Sequence, residues 1–223
     1  MTAPVVRRAT AELVGTAFLV AAVIGSGIAA QRLSPGDTGL QLLQNSLATG
    51  AVLVALILAL QPVSASFNPV VTLVERVLGR IDSTAAVVLV VAQVAGGLLG
   101  AVVANLMFDL DAVSVSGTER GGSGQLLAEV VATLGLVVVV FGALRSPRIE
   151  TVAFAVGGYI AAAYWFTSST SFANPAVTVA RTLSDTFAGI DPASVPAFLL
   201  MQLVGGALGA ALVLLLHPTP QEA

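Results

Sequence analysis

The sequence predicts an all-α membrane protein with six transmembrane helices and two re-entrant half-helices, arranged as an inverted repeat. Three observations lead to this fold class. Hydrophobic residues make up 57% of the 223 residues and charged residues only 9%, far below the roughly 25% charged residues of a typical soluble domain. Six apolar runs have lengths suited to membrane crossing. An Asn-Pro pair occurs once in each half, at Asn68-Pro69 and Asn174-Pro175.

The six apolar runs predict the transmembrane helices, which need about 20 residues to cross a hydrocarbon core of about 30 Å. The fifth run is the shortest, and its limits are the least defined. The first run could also be read as a cleaved signal peptide, but it is long for that purpose and carries Glu12. The predicted spans cover residues 9–30, 40–60, 84–108, 126–144, 149–166 and 195–216.

The two segments left over, residues 61–82 and 167–192, predict the re-entrant half-helices. Each is too long for a tight loop and holds too few apolar residues to cross the membrane. Asparagine is a good helix N-cap and proline is favoured at the first helical position, so each Asn-Pro pair marks a helix start. We therefore expect two short helices that enter the membrane and end partway through it.

The two halves of the chain repeat the same landmarks in the same order. Because each half has three crossings, the second half inserts upside down relative to the first. We expect one transmembrane domain over residues 1–223, with repeats over about 9–108 and 124–216. Small residues of the third and sixth spans are expected to pack near the half-helices. The landmarks are Glu12 and Glu129, Asn68 and Asn174, Gln93 and Gln202, Gly96 and Gly205, Gly97 and Gly206, and Gly100 and Gly209.

Charge and composition predict orientation and exclude several kinds of site. With the N-terminus in the cytoplasm, six arginines lie on the cytoplasmic side and three outside, as the positive-inside rule favours. A net charge of −3 without a basic tract argues against a nucleic-acid partner. The chain has no cysteine and a single histidine, His217, so no thiolate or histidine metal site is available. We expect no cofactor and no enzymatic activity.

The paired Asn-Pro motifs within an inverted duplication resemble the major intrinsic protein (aquaporin) family, over about residues 9–216. The resemblance implies a homotetramer in the bilayer of the plasma (inner) membrane, with cytoplasmic termini and a separate pore in each protomer. Water and small neutral solutes would pass through it passively. The resemblance also implies that Glu12 and Glu129 brace the re-entrant loops. The implied pore centre is Asn68, Pro69, Val70, Asn174, Pro175 and Ala176.

The sequence departs from the family at the outer constriction, where Val177 replaces the arginine that usually follows the second motif. This predicts a wider and less polar filter that passes glycerol-like polyols and metalloid acids such as arsenious acid. The residues before Val177 also resemble bacterial members associated with arsenic resistance. The other filter positions implied by the resemblance are Ala48 or Thr49, a residue from Ala161 to Tyr164, and Ser171 or Phe172.

Three questions stay open from the sequence. Arg181 lies one turn after Val177, so its guanidinium either reaches the outer mouth or is an interfacial charge at a half-helix end. The channel could also be a strict water channel. A proton-coupled secondary transporter is the alternative of a different class, and it would use Glu12 or Glu129 as the proton carrier.

Overall fold

The computed structural model describes residues 3–148 and 150–217, which form eight α-helices and contain no β-strand. Six of these helices correspond to the predicted spans, and two short ones start at the Asn-Pro motifs. The spanning helices are α1 (Val5–Leu33), α2 (Thr38–Leu60), α4 (Ser83–Met107), α5 (Ser123–Ala143), α6 (Thr151–Phe166) and α8 (Val195–Leu216). The half-helices are α3 (Pro69–Val77) and α7 (Pro175–Ala180).

The predicted fold class is confirmed, with one difference in helix length. Among the described residues, five helices are long and apolar enough to cross a membrane. The exception, α6, has 16 residues, which at 1.5 Å per residue span about 24 Å rather than the 30 Å of a typical hydrocarbon core. Ile149, where the sequence predicts this span to begin, lies outside the described residues.

The half-helices begin where the cap chemistry predicts. The Asn68 side chain accepts a hydrogen bond from the Val70 amide at 2.9 Å. Asn174 accepts from the amides of Ala176 and Val177 at 3.0 and 3.3 Å. A proline occupies the first turn of both helices, where its missing N–H removes no intrahelical bond. A 3₁₀ turn, Arg181–Leu183, continues α7.

Glycines set the close packing of α1 on α4. A Cβ atom at Gly96 would overlap the carbonyl oxygen of Leu13, and one at Gly100 would overlap that of Ala17. Because both pairs advance by four residues in the same direction, α1 and α4 run parallel. The second half repeats this arrangement, since a Cβ at Gly205 of α8 would overlap the Val130 carbonyl oxygen of α5.

The third and sixth spanning helices pack on the half-helices, as expected, but through Gly97 and Gly206 rather than through Gly96, Gly100 and Gly205. Gly97 of α4 faces α7, and a Cβ there would lie 3.1 Å from the Ala176 carbonyl oxygen. Gly206 of α8 faces α3, where a Cβ would overlap the Val70 side chain. Each half-helix therefore rests on the third spanning helix of the opposite half, which joins the two halves at their centre.

Candidate functional site

A narrow cavity lies at the centre of the bundle, between the spanning helices and the two half-helix turns. Its volume is about 80 Å³, and its wall includes both Asn68 and Asn174. The lining includes Val152 in the first turn of α6 and Tyr164 in the last turn. At 1.5 Å per residue, the cavity therefore extends about 18 Å along that helix. Most of its other lining side chains are leucine, isoleucine and valine.

The two Asn-Pro turns are hydrogen-bonded to each other beside the cavity. The side-chain Nδ2 of Asn68 donates to the carbonyl of Ala173 at 2.8 Å. Reciprocally, the Nδ2 of Asn174 donates to the carbonyl of Phe67 at 2.7 Å. Because each Oδ1 caps its own half-helix, each amide keeps one N–H beyond these bonds. The turns thus form a fixed pair that presents two amide groups to the cavity.

The residue before each asparagine has an unfavourable backbone conformation. Phe67 and Ala173 both have a φ of 47°, in the left-handed region that costs a non-glycine residue about 1–2 kcal/mol. Their amides are held by buried carboxylates: Phe67 donates to Glu12 at 2.7 Å and Ala173 to Glu129 at 2.9 Å. The same conformation at both positions, with the same type of acceptor, shows that the repeat extends to backbone detail.

Each buried glutamate also bonds to a glutamine of the third spanning helix in its own half. The Glu12 carboxylate accepts from the Ser66 amide at 2.9 Å and from Gln93 Nε2 at 2.8 Å, and also from the Ser64 hydroxyl. Together with the Phe67 amide, these three donors give each carboxylate oxygen two hydrogen bonds. Fully buried carboxylates require such compensation.

Glu129 has the corresponding partners in the second half. It accepts from the Phe172 amide at 2.9 Å and from Gln202 Nε2 at 2.6 Å. Gln202 in turn donates to Thr178 Oγ1 at 2.8 Å, on the half-helix itself. The carboxylate therefore links α5, α8 and the second re-entrant loop.

One end of the cavity brings together most of the predicted filter residues. Thr49 Oγ1 and the Tyr164 hydroxyl are 3.2 Å apart, and the Ser171 hydroxyl is buried without a hydrogen-bond partner among the described residues. Of the alternatives that the sequence left open, Thr49 and Tyr164 line the cavity, whereas Ala48 and Ala161 are not among its lining residues. The predicted positions in the lining are Thr49, Tyr164, Ser171, Phe172, Val177 and Arg181.

Ala161 has a packing contact that accounts for its position away from the cavity. A Cβ atom at Gly50 of α2 would lie 2.9 Å from the Ala161 side chain. The two residues thus form part of the close contact between α2 and α6. Tyr164, three residues further along α6, reaches the cavity instead.

Arg181 is buried at this end of the cavity, with 2% of its surface exposed. Its Nε donates to the Ala188 carbonyl. Its central guanidinium carbon lies 3.5 Å from the centroid of the Phe172 ring, within range of a cation–π interaction. Of the two locations that the sequence allowed, the structure places Arg181 in the cavity wall rather than at a solvated half-helix end.

A second arginine, Arg120, approaches the same aromatic ring. Its guanidinium carbon lies 5.0 Å from the Phe172 centroid, and its Nε donates to the Gly189 carbonyl at 2.8 Å. Its backbone amide donates to Ser194 Oγ at 3.0 Å. Burial lowers the pKa of Arg120 below its ordinary value. No sequence motif pointed to this residue, which is the one arginine of the connector between the halves.

Comparisons with known proteins agree with this geometry. The family described as Major intrinsic protein matches residues 1–151 and again residues 145–223. The chain is 48% identical over 208 residues to the aquaglyceroporin AqpS of Rhizobium meliloti (strain 1021), covering 93% of this chain and 88% of that protein. The X-ray structure of the aquaglyceroporin from Plasmodium falciparum superimposes with a TM-score of 0.71 over 94% of both chains, at 18% identity. At that identity the likeness concerns the fold.

Proposed function

Because the chain belongs to the major intrinsic protein family, we propose that it is a passive transmembrane channel for water and small uncharged solutes such as glycerol. Proteins of this family are channels and not enzymes. The observation that carries the proposal is the central cavity, whose wall includes the capping asparagine of each half-helix, Asn68 and Asn174. A mostly apolar wall with a few polar groups allows a hydroxylated solute to exchange hydration for hydrogen bonds without being held tightly.

The pore centre in this proposal is the pair of motifs, Asn68-Pro69-Val70 and Asn174-Pro175-Ala176. The unpaired N–H groups at a helix N-terminus carry about half a positive charge. Two such ends that meet at the cavity oppose cations and protons, while neutral solutes are admitted. The N–H that each asparagine amide has left over donates to the oxygen of the permeant.

The outer filter in this proposal consists of Thr49, Tyr164, Ser171, Phe172 and Val177. Val177 contributes an apolar surface where an arginine would narrow the passage and demand a polar ligand. Hydroxyl groups on Thr49, Tyr164 and Ser171 provide donors and acceptors for a polyol. We propose on this basis that the channel passes arsenious acid and related neutral metalloid acids together with water and glycerol.

Arg181 in this proposal supplies positive charge at the outer end of the pore. Its burial beside Phe172 and its place in the cavity wall support this role. It lies four residues after Val177, so its charge is set further from the pore centre than that of an arginine at position 177 would be. The missing charge is thereby partly restored without narrowing the filter.

Glu12 and Glu129 in this proposal brace the re-entrant loops rather than carry protons. Both carboxylates accept hydrogen bonds from loop amides. Two of these amides belong to Phe67 and Ala173, and the bonds stabilise the strained backbone conformation of these residues. Protonation would turn one oxygen that already accepts hydrogen bonds into a donor, which would weaken the bonds to the loop. The contacts therefore favour a channel over the proton-coupled transporter.

Solute flux into proteoliposomes tests the proposal. Stopped-flow light scattering on vesicles with purified protein should show fast water exchange and glycerol and arsenious acid uptake that rises linearly with concentration. Protein-free vesicles of the same lipid composition are the control. Water exchange without solute uptake would indicate a strict water channel. Uptake that saturates and collapses with the proton gradient would indicate a transporter.

We further propose a homotetramer in the plasma (inner) membrane with cytoplasmic termini. Large apolar side chains on the outside of the bundle, among them Leu47, Phe154 and Leu215, suit contact with lipid or a neighbouring protomer. Light scattering of the detergent-solubilised protein tests the assembly. Since the chain has no cysteine, single substitutions Glu119→Cys and Arg145→Cys can test orientation. An impermeant maleimide added to intact cells should label the first and not the second.

A further inference from the structure

An open cleft with a volume of about 510 Å³ lies away from the central cavity, where α1 and α4 begin and α3 ends. Three arginines from separate segments line it: Arg8 in the first turn of α1, Arg76 near the end of α3, and Arg80 in the loop to α4. None of these arginines has a part in the proposed pore. The cleft is therefore a separate feature of this surface.

The charge in the cleft is unbalanced. Within the described part of the chain, Asp82 is the one acidic residue among its lining, against three guanidinium groups. One oxygen of that carboxylate already accepts from the Ala85 amide at 2.8 Å, as the N-cap of α4. Two of the arginines contact neutral groups: Arg76 Nε donates to Ser83 Oγ at 2.8 Å, and Arg80 lies 5.8 Å from the Phe141 ring centroid. Glu75, which is not among the lining residues, attracts Arg8 and Arg80 and offsets part of their charge. Their remaining N–H donors are suited to an oxyanion.

The start of α4 adds to this positive surface. Its first N–H groups have no intrahelical acceptors, and Asp82 takes only that of Ala85. Ser83 and Ala85 both line the cleft, so the positive end of a 25-residue helix dipole opens into it. Helix N-termini together with arginine forks are a recurring arrangement for phosphate groups.

The position of the cleft suits a ligand at the membrane surface. Because α1 and α4 run parallel and both begin here, the cleft lies at the level where spanning helices leave the hydrocarbon core. Phosphate groups of anionic lipids concentrate at that level, and basic pockets there bind lipid headgroups. On the proposed orientation, this is the cytoplasmic leaflet.

We propose that the cleft of Arg8, Arg76 and Arg80 binds a phosphate-bearing anion, with the phosphodiester headgroup of an anionic lipid or a free phosphate as the two sources of that chemistry. The site neither touches the pore centre nor depends on what the pore conducts. It does lie beside α3, where Glu75 accepts a hydrogen bond from Ser66 of the cavity wall at 3.1 Å. A ligand bound to Arg76 thus sits one residue from a contact with the pore.

Binding of phosphatidylglycerol and inorganic phosphate to the full chain in detergent tests the proposal, with phosphatidylcholine as the neutral probe. Native mass spectrometry counts bound lipid, and thermal unfolding reports stabilisation by either probe. The variant Arg76→Gln/Arg80→Gln removes two charges from the cleft. Each charge near an anionic surface contributes about fivefold in affinity, so phosphatidylglycerol binding should fall about 25-fold.

The matched control is Arg145→Gln/Arg148→Gln, which removes two exposed arginines outside the cleft. It should bind phosphatidylglycerol as the unchanged protein does. Arg8→Gln, on a different helix, is a second cleft variant in case the double variant does not fold. Binding of the lipid alone supports a headgroup site, and binding of inorganic phosphate as well supports a soluble ligand. Equal losses in cleft and control variants, or no binding of either probe, would overturn the proposal.

Discussion

The guanidinium of Arg181 lies over the ring of Phe172, with its central carbon 3.5 Å from the ring centroid. Both side chains line the cavity. The ring belongs to the loop before α7 and the guanidinium to the turn after it. The contact therefore joins the two segments that flank this half-helix. It also holds a positive charge in a wall where Val177 alone would leave none.

Replacing Arg181 by alanine should make the outer filter less selective. The variant Arg181→Ala removes the buried charge and the closer of the two cation–π partners of Phe172, an interaction of about 2 kcal/mol at a desolvated site. We expect faster uptake of polyols larger than glycerol and a measurable leak of small cations. Radiotracer and potential-sensitive dye assays in proteoliposomes measure these rates. Rates equal to those of the exposed-site variant Arg145→Ala would show that Arg181 has no role at the mouth.

Restoring an arginine after the second motif should narrow the filter. In Val177→Arg the long side chain enters a buried position on the cavity wall, and a second cation lies one helical turn from Arg181. Glycerol and arsenious acid uptake should fall at least about tenfold, a change of about 1.4 kcal/mol in the barrier. The variant Val177→Ala keeps the site small and should retain both fluxes. Uptake unaffected by the arginine would contradict the assignment of position 177 to the filter.

Neutralising either buried glutamate should destabilise the fold more than it alters coupling to protons. In Glu12→Gln and Glu129→Gln an NH₂ group replaces one acceptor oxygen, so a loop amide or a glutamine donor loses its partner. A hydrogen bond to a charged group contributes about 1.5–3 kcal/mol, and thermal unfolding should shift accordingly. Glycerol flux through the surviving protein should remain independent of the proton gradient. If glycerol flux depends on the proton gradient in the unchanged protein and loses that dependence in these variants, the two glutamates are proton carriers.

Replacing a glycine by alanine should lower the free energy of unfolding only where the glycine lies in a close helix contact. Gly96→Ala forces a Cβ against the Leu13 backbone carbonyl, which cannot move aside as a flexible side chain does. We expect a loss of about 1–3 kcal/mol. Gly158→Ala is the matched control, because no atom lies within 4 Å of a Cβ there. It should be neutral or stabilise α6 by up to about 1 kcal/mol, and thermal unfolding of both variants checks the difference.

Local chemistry made the half-helices and their supports predictable. An N-cap asparagine followed by proline specifies a helix start within a few residues. A glutamate in an apolar span requires donors, and the loop amides provide them. The repeat then linked Glu12 to Glu129 and Asn68 to Asn174 without any knowledge of the packing.

The remaining features depend on tertiary geometry that the sequence does not specify. A small-residue stripe predicts close helix packing, but Gly96 and Gly97 point about 100° apart around the helix axis and meet different partners. Arg120 belongs to the glycine-containing connector between the halves, which is tied to the second re-entrant segment because the Ser116 backbone amide donates to the Thr182 carbonyl at 2.9 Å. Only the folded chain brings Arg120 near a ring that is 52 positions away in the sequence.

The reciprocal bonds between the two Asn-Pro turns impose an order on biogenesis. The amide of Asn68 finds its acceptor in Ala173, which the ribosome adds 105 residues later. The first three crossings can enter the bilayer without completing their own re-entrant turn. The hydrogen-bonded pair of Asn-Pro turns therefore forms last, after the second half has inserted. A truncated first half lacks the acceptor and cannot form this pair.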